Sequence, residues 1–253
     1  MTWEKKKVLI TVKAYPECSQ KHGDIVCTAG ITEDGDWIRL YPLSFDLFKS
    51  QRKIQKCFWI EILCQKSTSD SRKESYRVKE NSMRIVDESL SKPKADWKLR
   101  NEYILPHLDK SVEELEEMAK IDKISLGLVK PKEVLDFYMK RDLTEEEKKK
   151  VEFAQMTLFG NLKTPLQKIP HVFKYKFICN DIRCDTHDMT CEDWELFESY
   201  RSWDYKDEEL IEKLREKYFI QMTEERELYF YLGTHFRWQT WMIIGIYYPP
   251  KNV

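Results

Sequence analysis

The stretch Ile31-Thr32-Glu33-Asp34-Gly35-Asp36-Trp37-Ile38 decides how the first third of this chain folds. Asp-Gly between two runs of alternating apolar residues is a strong hairpin signal, because glycine supplies the positive φ that a tight turn requires. It predicts two antiparallel strands, Ile25 to Thr32 and Asp36 to Tyr41. A two-residue turn would pair Thr32 with Trp37, Ile31 with Ile38, Gly30 with Arg39 and Ala29 with Leu40. One face then carries Ala29, Ile31, Ile38 and Leu40 and belongs to a core. The other carries Trp37, Arg39 and Tyr41 beside small residues, a surface suited to stacking bases and contacting phosphate, the competing reading being that another strand or the helical lobe covers it and an acid pairs with Arg39.

Outward from the hairpin, Val8, Ile10 and Val12 alternate with their neighbours, Phe58 to Cys64 forms a third clear strand, and Ser75 to Val78 and Met83 to Val86 form shorter ones. Strands this short and this close predict a small barrel or a strongly curled sheet. Helical signals follow. Ser111-x-x-Glu114 is a capping box, Pro131 suits the first position of a helix over Lys132 to Lys140, and Thr144-x-x-Glu147 opens a third helix. Beyond Pro165 the pattern is mixed, with strands at His171 to Ile178, Leu228 to Leu232 and Trp241 to Tyr248, and helices at Trp194 and at Asp207 to Tyr218. The predicted class is α+β: a β-rich lobe over 1–90, a helical segment over 91–165, and a mixed α/β lobe over 166–253 that holds a Cys/His turn.

That turn, Cys179-x4-Cys184-x2-His187-x3-Cys191, is the densest cluster of metal-ligating groups in the chain. Thiolate and imidazole bind Zn²⁺ in closed tetrahedral sites, so Cys179, Cys184, His187 and Cys191 are the expected ligands and zinc the expected cofactor. The gaps of four, two and three match no standard zinc template, and buried reduced cysteines are the competing reading. Thr190 with Asp193 reads as the cap of the next helix. His187, Asp193 and Glu195 would place a base and two acids near one turn, a constellation that suits a hydrolase. Acids in a first helical turn are also expected simply because they complement the helix dipole.

Composition narrows the classes. The chain has 253 residues, 42% hydrophobic and 13% aromatic, which is globular. Glycine is scarce at 7, and no Gly-rich phosphate loop or nucleophile elbow is present, which disfavours P-loop, dinucleotide-binding and α/β-hydrolase chemistry. The longest apolar run, Trp241 to Pro250, is too short to span a bilayer, so no membrane partner is expected. Seven cysteines in no spaced framework suit a reducing cytoplasm.

Net charge is −1, but the charge is unevenly spread. From Lys49 to Lys79 nine bases stand against three acids. This tract adds Lys53, Lys56, Arg72 and Lys73 to the Trp37 face, and the loop Gly233 to Thr240 adds Arg237 and Trp238. The leading expectation is a cytoplasmic protein that binds DNA or RNA through an aromatic, basic β face. A hydrolase acting on nucleic acid or nucleotide and a protein-interaction adaptor with a structural zinc turn are the alternatives. Oligomeric state is not written in the sequence.

Overall fold

The computed structural model describes residues 2–15, 17–19, 23–44, 54–92, 96–141, 169–236 and 238–253. The expected helix start at Thr144, and Lys49, Lys53 and Arg237, lie outside the described residues.

The first lobe contains β1 (Glu4–Lys13), β2 (Glu17–Ser19), β3 (Gly23–Thr32), β4 (Trp37–Ser44), β5 (Trp59–Lys66) and β6 (Ser75–Asp87). The two short strands expected at its end are one long strand, β6. The sheet order is β1-β5-β6-β4-β3-β2, and β1 also pairs with β3. Five strands therefore close into a ring, with β2 outside it. The β4–β6 pair is parallel, and the other pairs are antiparallel. Val8, Ile10, Ile38, Leu40, Ile60 and Ile62 fill the ring. Closure depends on Gly30, where an added Cβ would stand 2.3 Å from the Leu9 carbonyl oxygen.

The hairpin forms, but with a different register. Gly35 has φ +86, its N–H donates to Thr32 O, and the Thr32 N–H donates to Asp36 O. The loop is thus Glu33-Asp34-Gly35, three residues with the glycine in the left-handed region. Ile31 now pairs with Trp37, Ala29 with Arg39, Gly30 with Ile38 and Thr28 with Leu40. A one-residue slip exchanges faces. Trp37 and Arg39 therefore share a face with Ala29 and Ile31, and that face packs on Leu126, Leu128, Tyr229, Tyr231 and Ile244 of the second lobe.

The second lobe holds α1 (Trp97–Ile104), β7 (Leu108–Asp109), α2 (Val112–Asp122), β8 (Leu126–Val129), β9 (Glu133–Arg141), β10 (His171–Ile178) and β11 (His187–Cys191). Then come α3 (Trp194–Ser202), α4 (Asp207–Arg215), β12 (Tyr229–Thr234) and β13 (Trp241–Tyr247). Helix α4 runs on through a π turn, Glu216–Gln221, into Met222–Glu224. The strands make one mixed sheet, β7-β8-β12-β13-β11-β10-β9. The class is α+β, as expected: a five-strand ring, helices, and a mixed sheet with the Cys/His group.

Two local expectations are corrected. Lys132 to Lys140 is not a helix but strand β9, paired along its length with β10. Phe137 is fully buried and its neighbours Asp136 and Tyr138 are not, so pairing to a buried strand overrides the helix-start signal of Pro131. The cap of α3 is Asp193 rather than Thr190, since its Oδ1 accepts from Glu195 N and Leu196 N. Among the described residues no helix is long and apolar enough to cross a membrane.

Candidate nucleic-acid interface and metal centre

The face expected to bind nucleic acid is largely consumed by folding. The Trp37 ring lies 5.3 Å from His107 and meets Tyr231 edge-on at 6.1 Å. Arg39 is 2% exposed; it donates to Cys27 Sγ at 3.0 Å and to Ser125 O at 3.0 Å, so it joins the lobes and cannot reach a phosphate. Only Tyr41, 44% exposed, keeps an open side. Lys56 Nζ is 2.5 Å from Asp193 Oδ2 and 3.5 Å from Glu195 Oε2. Burial opposes its charge, but those carboxylates hold its pKa well above the ordinary lysine value. Arg72 is clamped by Asp70 and donates to Thr234 O at 2.7 Å, with its guanidinium 5.5 Å from the Phe236 ring centre. Arg39, Lys56 and Arg72 are therefore structural cations. Lys73 and Trp238 stay exposed, and the Trp238 ring stacks on His235 at 6.3 Å.

A different surface carries the open positive charge. Across β1, β5 and β6 the register sets Lys5 beside Leu63 and Lys79, Lys7 beside Glu61 and Arg84, and Gln65 beside Arg77. Ile60, Ile62 and Cys64 alternate with these positions and point into the ring, so the rows form its outer wall. Among the described residues, five cations there face two carboxylates: Glu61, which Lys5 meets at 3.3 Å, and Asp87, set beside Trp59 at the far end. Glu80 turns away and accepts from Ser44 N. Trp3 joins the wall, since Lys79 Nζ lies 4.6 Å from its ring centre. The loop before β6 is fixed to Thr234 through Arg72, which sets Phe236 near the Ser75 end of β6. The sequence signal for this wall is the alternation Lys5/Lys7 and Arg77/Lys79, of which only Arg77 and Lys79 belong to the basic tract.

The Cys/His turn does assemble a cluster, though its membership changes. Glu113, Cys179, Cys184 and His187 bring one ligand atom each within 4.8 Å of one another, and the group could hold a metal ion. Glu113 comes from the first turn of α2, whose cap is Ser111. Burial pushes the Cys179 thiol up to about 12. Cys191 is not in the group. It is fully buried opposite Phe173, and burial raises its thiol well above the ordinary value. Four residues beyond His187 along an extended strand, it lies ~13 Å on at about 3.3 Å per residue.

The same strand separates the expected catalytic residues. His187 begins β11, while Asp193 lies beyond its end, at the start of α3. Asp193 is 1% exposed, and besides capping α3 it accepts from Lys56 and, at 2.9 Å, from Ile246 N. Glu195 is half-exposed beside Lys56 and Tyr248. Burial, with Lys56 close by, lowers Lys13 to about 8, and its ammonium sits 4.2 Å from the Trp194 ring centre. His187, Asp193 and Glu195 thus share no cleft, and proton transfer needs hydrogen-bond reach.

Comparison with known proteins gives the following. Residues 108–253 match a family described as a domain of unknown function, DUF8757, and residues 4–106 match a second one, DUF8758. No curated protein matches the chain. A chain of the solved structure "Structure and Conformational Change of a Replication Protein A Heterotrimer Bound to ssDNA" is similar at TM-score 0.41 and 9% identity, over 99% of this chain and 50% of that one. This chain spans about half the length of that relative, and a likeness at this level carries no functional argument.

Proposed function

The chain belongs to the DUF8757 family, whose description names no activity, and we propose from its geometry that it binds single-stranded nucleic acid along the outer β1–β5–β6 wall. The observation that carries this reading is the wall itself, where Lys5, Lys7, Arg77, Lys79 and Arg84 outnumber Glu61 and Asp87 and Trp3 stands among them. A cationic track with interspersed aromatic rings serves a single strand, because every base offers a π-face and every nucleotide a phosphate. The ring order β1-β3-β4-β6-β5, with one parallel pair, also fits a five-stranded Greek-key barrel of the OB type, a scaffold that binds oligonucleotides or oligosaccharides on its second and third strands. Here those strands are β3 and β4, and the second lobe covers their outer side. The open cationic surface is the wall next to it, with Phe236 and Trp238 standing at one end.

In this reading a metal in the Cys/His group steadies the lobe that covers β3 and β4. Cys27, Cys57, Cys64, Cys179, Cys184 and Cys191 are free, which suits work in a reducing compartment such as the cytoplasm. The test is fluorescence anisotropy of labelled single-stranded DNA and RNA, with duplex as competitor. Saturable single-strand binding is expected. Trp3→Ala and Trp238→Ala should each weaken it on the order of tenfold, as stacking is worth ~1–3 kcal/mol per base. No saturable binding to either strand type at low salt overturns the proposal.

A further inference from the structure

We propose that Glu113, Cys179, Cys184 and His187 are the four ligands of one Zn²⁺ ion that pins the first turn of α2 to the β10–β11 turn. The inference is independent of the nucleic-acid reading, since no wall residue takes part. Four ligand atoms within 4.8 Å of one another leave a space bounded by two sulfurs, a ring nitrogen and a carboxylate oxygen. Two of the buried polar atoms there have no hydrogen-bond partner, His187 Nε2 and Glu113 Oε2. His187 Nε2 is 2.9 Å from the other carboxylate oxygen, Oε1, yet the alignment is not that of a hydrogen bond. Imidazole, carboxylate and the Cys184 thiol thus converge on one point, the arrangement expected of groups that share an ion.

The chemistry of the set selects the metal. Thiolate sulfur disfavours Mg²⁺ and Ca²⁺, while Zn²⁺ accepts sulfur, imidazole nitrogen and carboxylate oxygen together. The backbone N–H of Cys179 donates to Cys184 Sγ at 3.1 Å, an outer contact of the kind that steadies a metal-bound thiolate. The Phe177 ring, 5.2 Å from that of His187, fixes the imidazole. Four protein ligands fill a tetrahedral shell, so the site is structural and leaves no position for a substrate. What it holds is α2. That helix is already docked to the same turn, as Ser111 Oγ donates to Asp181 Oδ2 at 2.8 Å and Arg183 bridges Asp181 and Glu117. The ion adds a bond between two segments about 70 residues apart in sequence, which is where a structural metal contributes to folding.

The experiment is elemental analysis of the full chain purified without chelator, with thermal unfolding in the presence and absence of a strong chelator. About one zinc per chain and a lower midpoint on chelation are expected. Replacement by Co²⁺ should give the visible bands of a tetrahedral site and a thiolate charge-transfer band in the near ultraviolet. Glu113→Gln and Cys184→Ser should each lose most of the metal, whereas Cys191→Ala should retain it. Should a ligand variant fail to fold, alkylation of the unaltered protein decides: Cys184 should be protected until chelator is added. Substoichiometric zinc with a midpoint indifferent to chelator and to added Zn²⁺ overturns the site. Full zinc in Glu113→Gln with loss in Cys191→Ala overturns the ligand set.

Discussion

Asp193 and Lys56 show how a charge that looks free in the sequence is spent on the fold. Lys56 sits in the basic tract, but its partner is 137 residues away, and no local charge count could reveal it. Breaking a buried pair by removing one member leaves the other uncompensated, at a cost of ~3–5 kcal/mol. Lys56→Ala should therefore lower the unfolding free energy by about that much in urea; a loss under ~1 kcal/mol would mean that Asp193 is satisfied by its backbone donors alone. Lys13 gives a pH signature from the same cluster, facing Lys56, Glu195, Glu198 and Asp193. Its folded pKa is lowered to about 8, chiefly by burial. Below that value both states hold the proton. Between it and the unfolded value of ~10.4, only the unfolded chain does, so stability gained from this group rises with pH by up to ~1.4 kcal/mol per unit. The stability of the unaltered protein relative to Lys13→Met should grow from about pH 7.5 to about pH 9.5. A flat difference would refute the shift.

At the scale of elements, most strands are legible in the sequence: β1, β3, β4, β5 and β10 as short runs rich in apolar and β-branched residues, and β12 and β13 as short continuous apolar runs. The hairpin register was not. Asp34-Gly35 is compatible with a two-residue or a three-residue loop, and Thr32 decides between them: its Oγ1 accepts the Asp36 N–H at 3.1 Å and seals the longer loop. That one residue moved Trp37 and Arg39 under the second lobe. Strand β9 carries a helix-start signal at Pro131, and its pairing with β10, which lies 30 residues or more further on, overrides it. Ring closure rests on Gly30, so Gly30→Ala should force β1 and β3 apart and cost ~1–3 kcal/mol or more. Gly35→Ala meets no atom and strains only its left-handed φ, for about 1 kcal/mol. Denaturation midpoints should fall in that order. An equal or smaller loss for Gly30→Ala would contradict a ring closed by close backbone approach.

At the scale of the molecule, the second lobe decides which part of the ring is available. It covers β3 and β4 with Tyr229, Tyr231 and Ile244, locks in Arg39 and Arg72, and leaves the β1–β5–β6 wall in the open. The sequence disclosed a basic segment and a Cys/His turn, but not which cations would be enclosed or that Glu113 would replace Cys191, because both depend on segments brought together only by folding. Binding along the wall should show itself in the salt dependence of single-strand affinity. For single strands log Kobs falls with log salt by about 0.7 per phosphate neutralised. Five engaged wall cations give a slope of roughly −3.5. Arg77→Glu with Lys79→Glu should reduce its magnitude by about 1.4 or more while the unfolding midpoint stays in place. An unchanged slope in that double variant would show that the strand, if bound at all, lies elsewhere, and would contradict the account.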